Sequence, residues 1–530
     1  VISPDFRNQL EILAHHARRS PGRVVFSYLD EDTTFGELWA SIEAFAGGLL
    51  QRGLNRGDRV VMAQPNGPGF FTAFYGAQRA GAIAVPIAPE SGVARIADLA
   101  WLCDAAAVAV ADSLDHTAFD RLADLLGGER SLLTVSEGEA APPAPTVEIR
   151  ADDIALLQYT SGSTGDPKGV QLTHAGLITN MRQMISGMGI TEDDRFVSWL
   201  PAHHDMGLIL MTMVPMALAA RMILMPTSVR SIRRWLETIA DHRATFTAAP
   251  DFAYRLSLRF VKEPDSLDLS TLRVALNAAE PVRAGTVRAF EETFGLCNVM
   301  CPAYGLAEAT VGVSMWGPGR EILVDRQGCV SVGTPFPEVE VRIETKDGVA
   351  ASGETGEIVV RSPANTRGYW ANPEATAALL TPDGAIRTGD LGYIDADGNL
   401  FMVSRLKNII IQAGRNIAPR EVEEAVEVLD SVRRAAAVGI DRGGTEGEQI
   451  YVFVELMPDP ATDSGSYQDL VVDVVTAVRD RLGMRPGRVY LLEARSIPMT
   501  ANGKLRYPAL REAYTEGSLR SEGKILFPPY

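Results

Sequence analysis

The sequence predicts an α/β protein, with a large N-terminal domain of doubly wound α/β subdomains, a β-rich subdomain closing it, and a small α+β C-terminal domain. Three observations predict this. A chain of 530 residues, 46% hydrophobic and 22% charged, is longer than one compact core organises, so two or more domains are expected. Continuous apolar runs, RVVMAQPN (59–66), AIAVPIAP (82–89) and AAVAVAD (106–112), each stand beside a helical pattern, as parallel strands covered on both faces do. From about 331 to 403 the pattern changes to short alternating strands, VEVRIET and GEIVVRS, with Asp-Gly turns at 347, 383 and 397.

Beyond SRLKN (404–408) the signals run strand, helix, strand, strand, helix: NIIIQAG, PREVEEAVEVL, AAAVGID, IYVFVEL and a helical stretch near 468–482. This marks a separate small domain. The expected boundaries are 1–403 for the large domain, with its β-rich subdomain at about 331–403, then a hinge at 404–408 and the small domain at 409–530.

Composition narrows the function. A net charge of -17 argues against a general nucleic-acid binder, because that affinity comes from cations neutralising phosphates. Four cysteines (Cys103, Cys297, Cys301, Cys329) are too few for a disulfide framework and point to a reducing cytoplasm. Cys297 and Cys301 stand C-x3-C with no histidine nearby, and buried apolar thiols are expected there rather than zinc. The N-terminal stretch VISPDFRNQLEILAHHARRS has no signal-peptide run. Met206–Met225, MGLILMTMVPMALAARMILM, has the ~20-residue length of a membrane span. Pro215 and Arg221 interrupt it, and His204 and Asp205 precede it, so one buried helix of the large domain is expected. Its methionines could line a flexible apolar ligand pocket or fill the core.

The strongest local signal is YTSGSTGDPKGV, Tyr159 to Val170. Hydroxyls at Thr160, Ser161, Ser163 and Thr164, with glycines at 162, 165 and 169, can wrap phosphate oxygens in backbone and side-chain donors, and Lys168 adds a cation. This suits a nucleoside triphosphate. It is not the Walker pattern, because no Gly-Lys-Ser/Thr follows.

With this motif and seven others in matching order, the chain resembles the adenylate-forming superfamily of acyl-CoA synthetases, fatty acyl-AMP ligases, luciferases and peptide-synthetase adenylation domains. The others are LPAHHDMG (200–207), NAAEPV (277–282), YGLAEAT (304–310), GYW-x-NPEAT (368–376), RTGDLGYID (387–395), SRLKNIIIQAGRNIAPREVE (404–423) and TANGKLRY (500–507). HHDMG, APDFAYRL (249–256) and NAAEPVRAGTVRAF (277–290) look most like the fatty acyl-AMP ligase branch.

The resemblance implies a reaction and roles. A carboxylate attacks the α-phosphorus of ATP, and two anions must be brought together by positive charge and alignment. Thr160, Ser161, Gly162, Ser163, Thr164 and Lys168 would cradle the phosphates, and Glu308 with Thr164 would hold Mg²⁺ through hard oxygen donors. Ala307 stands where the family usually has Thr, which removes one hydroxyl. Tyr304, Gly305 and the backbone from Asn277 to Pro281, including Ala279 and Glu280, would form the adenine slot, with Asp390 on the ribose hydroxyls and Arg405 beside it. Lys504 matches the catalytic lysine, carried by a mobile C-terminal domain that turns about Lys407, so that the stretch around Gly414 comes to line a thiol tunnel. His204 stands at the gate of the acid pocket.

The resemblance thus implies activation of a hydrophobic carboxylic acid as its acyl adenylate and transfer to the thiol of coenzyme A, or to the phosphopantetheine of an acyl carrier protein. Fatty acyl-AMP ligases usually carry an insertion after the YGLAEAT block, but only 21 residues (311–331) separate Thr310 from Val332 here, which leaves coenzyme A admissible. Two other readings stay open: an amino-acid adenylating enzyme, with Asp205 pairing a substrate ammonium, and a nucleotide-binding scaffold that has lost catalysis. A monomer or homodimer without nucleic acid or a membrane span is expected.

Overall fold

The computed structural model describes residues 2–161, 167–227, 232–412, 415–441, 448–457, 464–499 and 505–528. Gly162, Ser163, Thr164, Gly414 and Lys504 lie outside them, and of Ser161 only the main chain is described. The chain divides into two compact units: 1–354 with 358–388 and 394–401, and 402–530 with 355–357 and 389–393.

In the first unit the three apolar runs become the strands Arg59–Ala63, Ile83–Ile87 and Ala105–Val110. They sit side by side in a six-stranded sheet ordered Ser131–Thr134, Ala105–Val110, Arg59–Ala63, Ile83–Ile87, Ile154–Ser161, Pro167–Thr173. The first five are parallel and the last closes an antiparallel hairpin. Helices cover the parallel strands, and one packed layer joins Val61, Val85 and Val108 to Ile96, Leu99 and Leu122. The continuous apolar runs reflect that cover, since a strand packed on both faces needs no polar alternation.

A nine-stranded sheet forms the rest of the large core, in the order Thr334–Pro335, Gly312–Met315, Met300–Gly305, Val274–Asn277, Phe246–Ala249, Arg195–Ser198, Arg221–Leu224, Val24–Tyr28, Glu31–Thr34. The six strands from Met300–Gly305 to Val24–Tyr28 are parallel. A five-stranded sheet comes next, ordered Gly348–Val349, Glu340–Thr345, Gly356–Arg361, Ile386–Ile394, Leu400–Arg405. Thr334–Pro335, expected with these β-rich strands, pairs with Gly312–Met315 instead. The three Asp-Gly turns place Gly348, Gly384 and Gly398 at positive φ, where a Cβ would clash with its own backbone.

The second unit shows period-two burial. In the hairpin Val432–Asp441 with Glu448–Leu456, Ala435, Ala437, Ile450, Val452 and Val454 face the helices Pro419–Val426 and Ser464–Leu482. Ala436, Val438, Tyr451 and Phe453 face the opposite layer with Tyr490, Leu510 and Leu519. Arg488–Leu492 and Ile525–Phe527 complete this sheet.

Two expectations need correction. Met206–Met225 is not one helix: a π-helix, Met206–Met213, runs into the α-helix Val214–Leu218, Ala219 turns the chain at φ 53, and Arg221–Leu224 is a strand of the nine-stranded sheet. Within so apolar a run, periodicity does not separate helix from strand. Among the described residues no helix is long and apolar enough to cross a membrane. Of the C-x3-C pair only Cys301 is buried, and Cys297 is exposed.

His174 opens the helix His174–Met188 and is buried, its Nδ1 3.3 Å from Gln9 Oε1. Burial lowers its pKa from 6.5 to about 4, with Asp153 opposing weakly. Between those values the unfolded chain takes up a proton that the folded chain refuses, so stability falls as pH drops through that window, by about 1.4 kcal/mol per pH unit at most. His174→Gln is therefore expected to show a shallower loss of thermal midpoint from pH 6.5 to 4 than the parent. Parallel profiles would refute this.

Candidate nucleotide and acid site

The hydroxyl-rich motif sits on a hairpin. Tyr159 pairs with Gly169, Thr160 with Lys168 and Ser161 with Pro167, so both flanks of the motif are strand and its glycine-rich middle is the connection. Gly169 is required there: a Cβ would lie 2.8 Å from the Tyr159 ring. Lys168 thus leaves the connection at a fixed strand position.

The segment 364–370 is laid against the outgoing strand. Gln171 N donates to Gly368 O at 3.0 Å and Trp370 N to Gly169 O at 2.8 Å, with Tyr369 bridged to Val170. The same segment holds the YGLAEAT block, because Thr366 N donates to Glu308 O (2.8 Å) and the Thr310 hydroxyl to Ala364 O (2.5 Å). The Thr366 hydroxyl donates to Gln171 O at 2.8 Å. These bonds bring two of the expected site residues to one ring: the Lys168 ammonium lies 5.0 Å from the centroid of Tyr369, and the Tyr369 hydroxyl donates to Glu308 Oε1 at 2.7 Å. Burial, and then the Glu308 carboxylate, push the Tyr369 pKa well up, so the hydroxyl stays a donor.

The remaining residues of the large unit gather at the carboxyl ends of three adjacent parallel strands, Phe246–Ala249, Val274–Asn277 and Met300–Gly305, the edge at which open α/β sheets bind ligands. Tyr304 is buried at the end of the third. Gly305 is confined, since a Cβ would come 1.7 Å from Val311 O. Ala279 takes φ 70 in the loop after the second strand. Buried Asp251 fastens that loop, accepting from Asn277 Nδ2 (3.0 Å), Arg283 N (3.2 Å) and the Thr286 hydroxyl (3.1 Å). Glu280 Oε1 accepts from Phe252 N at 2.5 Å, and burial with the charge of Asp251 raises its pKa.

His203 and His204 lie with ring centroids 4.6 Å apart. Burial, and then His204, lower the His203 pKa to about 3, so it is neutral across the physiological range. Gln158, on the hairpin strand, donates to His203 O at 2.9 Å and ties this turn to the phosphate motif. Asp205 accepts from Met206 N at 2.7 Å and heads the π-helix.

Asp390 and Arg405 both belong to the second unit. Asp390 is buried, with Arg405 Nε 3.2 Å from its Oδ1. Lys407 lies in the short turn Leu406–Asn408. On either side of 500–504, Met499 pairs with Leu505, Arg506 N donates to Pro498 O (3.0 Å) and Ile497 N to buried Glu455 (2.8 Å).

Sequence reasoning passed over Tyr369, Thr366 and Asp251. Tyr369 and Asp251 stand inside the blocks GYW-x-NPEAT and APDFAYRL, but nothing local shows that a tyrosine meets a glutamate 61 residues away.

A doubly wound large unit with a nucleotide-type edge, joined to a small α+β unit, defines the adenylate-forming architecture. Residues 13–370 match the family of AMP-binding enzymes and residues 421–504 the AMP-binding enzyme C-terminal domain; the chain belongs to this family. The medium-chain fatty acid–acyl-carrier-protein ligase JamA of Moorena producens is 31% identical over 98% of this chain and 97% of its own. The long-chain-fatty-acid–AMP ligase FadD32 of Mycolicibacterium smegmatis is 32% identical over 93% of this chain and 90% of its own. A structure from a study of fatty acyl-adenylate ligases of E. coli and L. pneumophila superposes with a TM-score of 0.87 at 28% identity, covering 98% of this chain and 99% of the other.

Proposed function

We propose that the protein activates a hydrophobic carboxylic acid with ATP, giving acyl-AMP and pyrophosphate, and then passes the acyl group to the thiol of coenzyme A. The observation that carries this reading is the meeting of Lys168 and Glu308 on Tyr369 beside the hydroxyl-rich hairpin, a cation for phosphate and an oxygen donor for a divalent ion in one place. Glu308 fits Mg²⁺, since a carboxylate with one oxygen held by a tyrosine keeps its second for a hard cation. Thr164 would join it, and the ion would neutralise phosphate charge.

In this reading Thr160, Ser161, Gly162, Ser163, Thr164 and Lys168 hold the phosphates. Ala279, Glu280, Tyr304 and Gly305 take the adenine, and Asp390 with Arg405 takes the ribose. Lys504 bridges carboxylate and α-phosphate, the chain turns about a hinge at 404–408, and Gly414 borders the thiol path. The apolar helix beginning at Met206, with His204 before it, supports an apolar acid, as do relatives named for fatty acids.

Coenzyme A is favoured by the short connection between Thr310 and Val332. In keeping with it, the alignments to JamA and FadD32 run over 578 and 583 positions, longer than this chain, so those proteins carry residues absent here. A second acceptor, the phosphopantetheine of a carrier protein, is supported by JamA, whose name specifies one.

The test is an acid panel, fatty, aryl, terpenoid and amino, run with ATP and Mg²⁺ and with either coenzyme A or loaded carrier protein, scored by thioester mass. We expect pyrophosphate release with apolar acids and a coenzyme A thioester. Product on the carrier alone would move the conclusion to the second acceptor, and no pyrophosphate release with any acid would end it.

A further inference from the structure

We propose that Tyr369 is a positioning residue for both charges of the triphosphate site, its hydroxyl fixing the Glu308 carboxylate toward the divalent cation and its ring face seating the Lys168 ammonium. This rests on the function proposed above and deepens it. Glu308 leaves a short helical turn, Ala307–Ala309, which by itself would let the carboxylate swing among rotamers. The Tyr369 hydroxyl, 2.7 Å from Oε1, removes that freedom and occupies one oxygen. Outer partners of this kind orient a metal ligand and set its affinity.

Tyr369 is itself well held. Its flanks are hydrogen-bonded to the hairpin at Gly169 and Gln171, and its own N donates to the Thr376 hydroxyl at 2.9 Å. Only 9% of the residue is exposed, so ring and hydroxyl cannot turn away into solvent. The Lys168 ammonium, 5.0 Å from the ring centroid, is drawn by the negative face of the aromatic system. A hairpin strand and a distant acidic turn are thereby set in one frame, and a lysine and a glutamate of opposite charge are held on a common support without neutralising each other directly.

The hydroxyl and the ring are separable by substitution. Tyr369→Phe removes the bond to Glu308 and keeps the ring; Tyr369→Leu removes both. The readout is the magnesium concentration needed to raise the thermal midpoint of the full-length protein in a non-hydrolysable ATP analogue, measured beside KM for the acid. We expect Tyr369→Phe to raise that magnesium requirement about tenfold or more, with KM for the acid within about twofold of the parent. Tyr369→Leu is expected to weaken binding of the analogue further, even at saturating magnesium. Apo thermal midpoints close to the parent establish that each variant is folded, and Phe retains the buried ring should Leu fail to fold.

Glu308→Gln provides the separating control. If it shifts the magnesium requirement and Tyr369→Phe does not, the positioning role of Tyr369 is overturned while the proposed function stands. If Glu308→Gln also leaves the requirement at the parent value, the metal assignment fails and takes the proposed site with it.

Discussion

Lys504→Ala is expected to slow acyl-adenylate formation by about 10²–10³-fold, the usual loss when one preorganised donor to a developing charge is removed. The attacking carboxylate and the α-phosphate are both anionic, and an ammonium touching the two is the most direct way to let them approach. KM for ATP should change little, because the hydroxyl-rich motif and Lys168 are the residues proposed to supply most of the ground-state contacts. The second half-reaction gives the sharper measurement. When the acyl adenylate is supplied ready-made, thioester formation should proceed at close to the parental rate, since the proposed turn about 404–408 that brings Gly414 to the thiol path would carry Lys504 out of the site. Equal losses in both halves would mean that Lys504 serves the domain's fold rather than the first chemical step.

Gly305→Ala should have the next largest effect. The added methyl would sit 1.7 Å from Val311 O and 2.9 Å from Val311 C, both main-chain atoms of the adjoining segment, so no side chain can move aside. Gly305 faces Gly312 across the paired strands Met300–Gly305 and Gly312–Met315, and the segment between them carries Glu308. Relief of the clash is therefore expected to displace Glu308, the carboxylate proposed to hold the metal. Overpacking of this kind costs on the order of 1–3 kcal/mol, and an ångström of misplacement at a reacting centre can cost about 10²-fold in rate. We expect a lower thermal midpoint together with adenylation reduced at least about tenfold. A variant with parental midpoint and parental rate would show that the two strands can separate without disturbing Glu308.

The parts of this molecule legible in its sequence were those set by local chemistry. Strands such as Arg59–Ala63 and Ala105–Val110 announced themselves as apolar runs because both their faces are covered. The order of residues in the hydroxyl-rich motif, rather than its composition, suggested a phosphate loop, and the structure describes its two flanks as the paired strands Ile154–Ser161 and Pro167–Thr173. The expectation that Met206–Met225 would form one helix failed, because nothing in so uniform a run signals the reversal at Ala219, a residue that rarely adopts positive φ. The support of Glu308 by Tyr369, and of the 277–283 loop by Asp251, was equally hidden. Each depends on chain segments brought together by sheet pairing, and pairing leaves no local mark on the residues that profit from it.

If the acid lies against the π-helix Met206–Met213, as proposed, the geometry of that helix bears on any effort to alter which acids are accepted. Its closing bond runs from Val214 N to Ile209 O, one residue wider than an α-helical bond. Side chains that share a side therefore recur at intervals of four and five, and Met206 is aligned with Leu210 and Met211 rather than with Ile209. Paired substitutions chosen by ordinary helical spacing would fall on two different faces of this helix, whereas pairs chosen at the wider interval would fall on a single one.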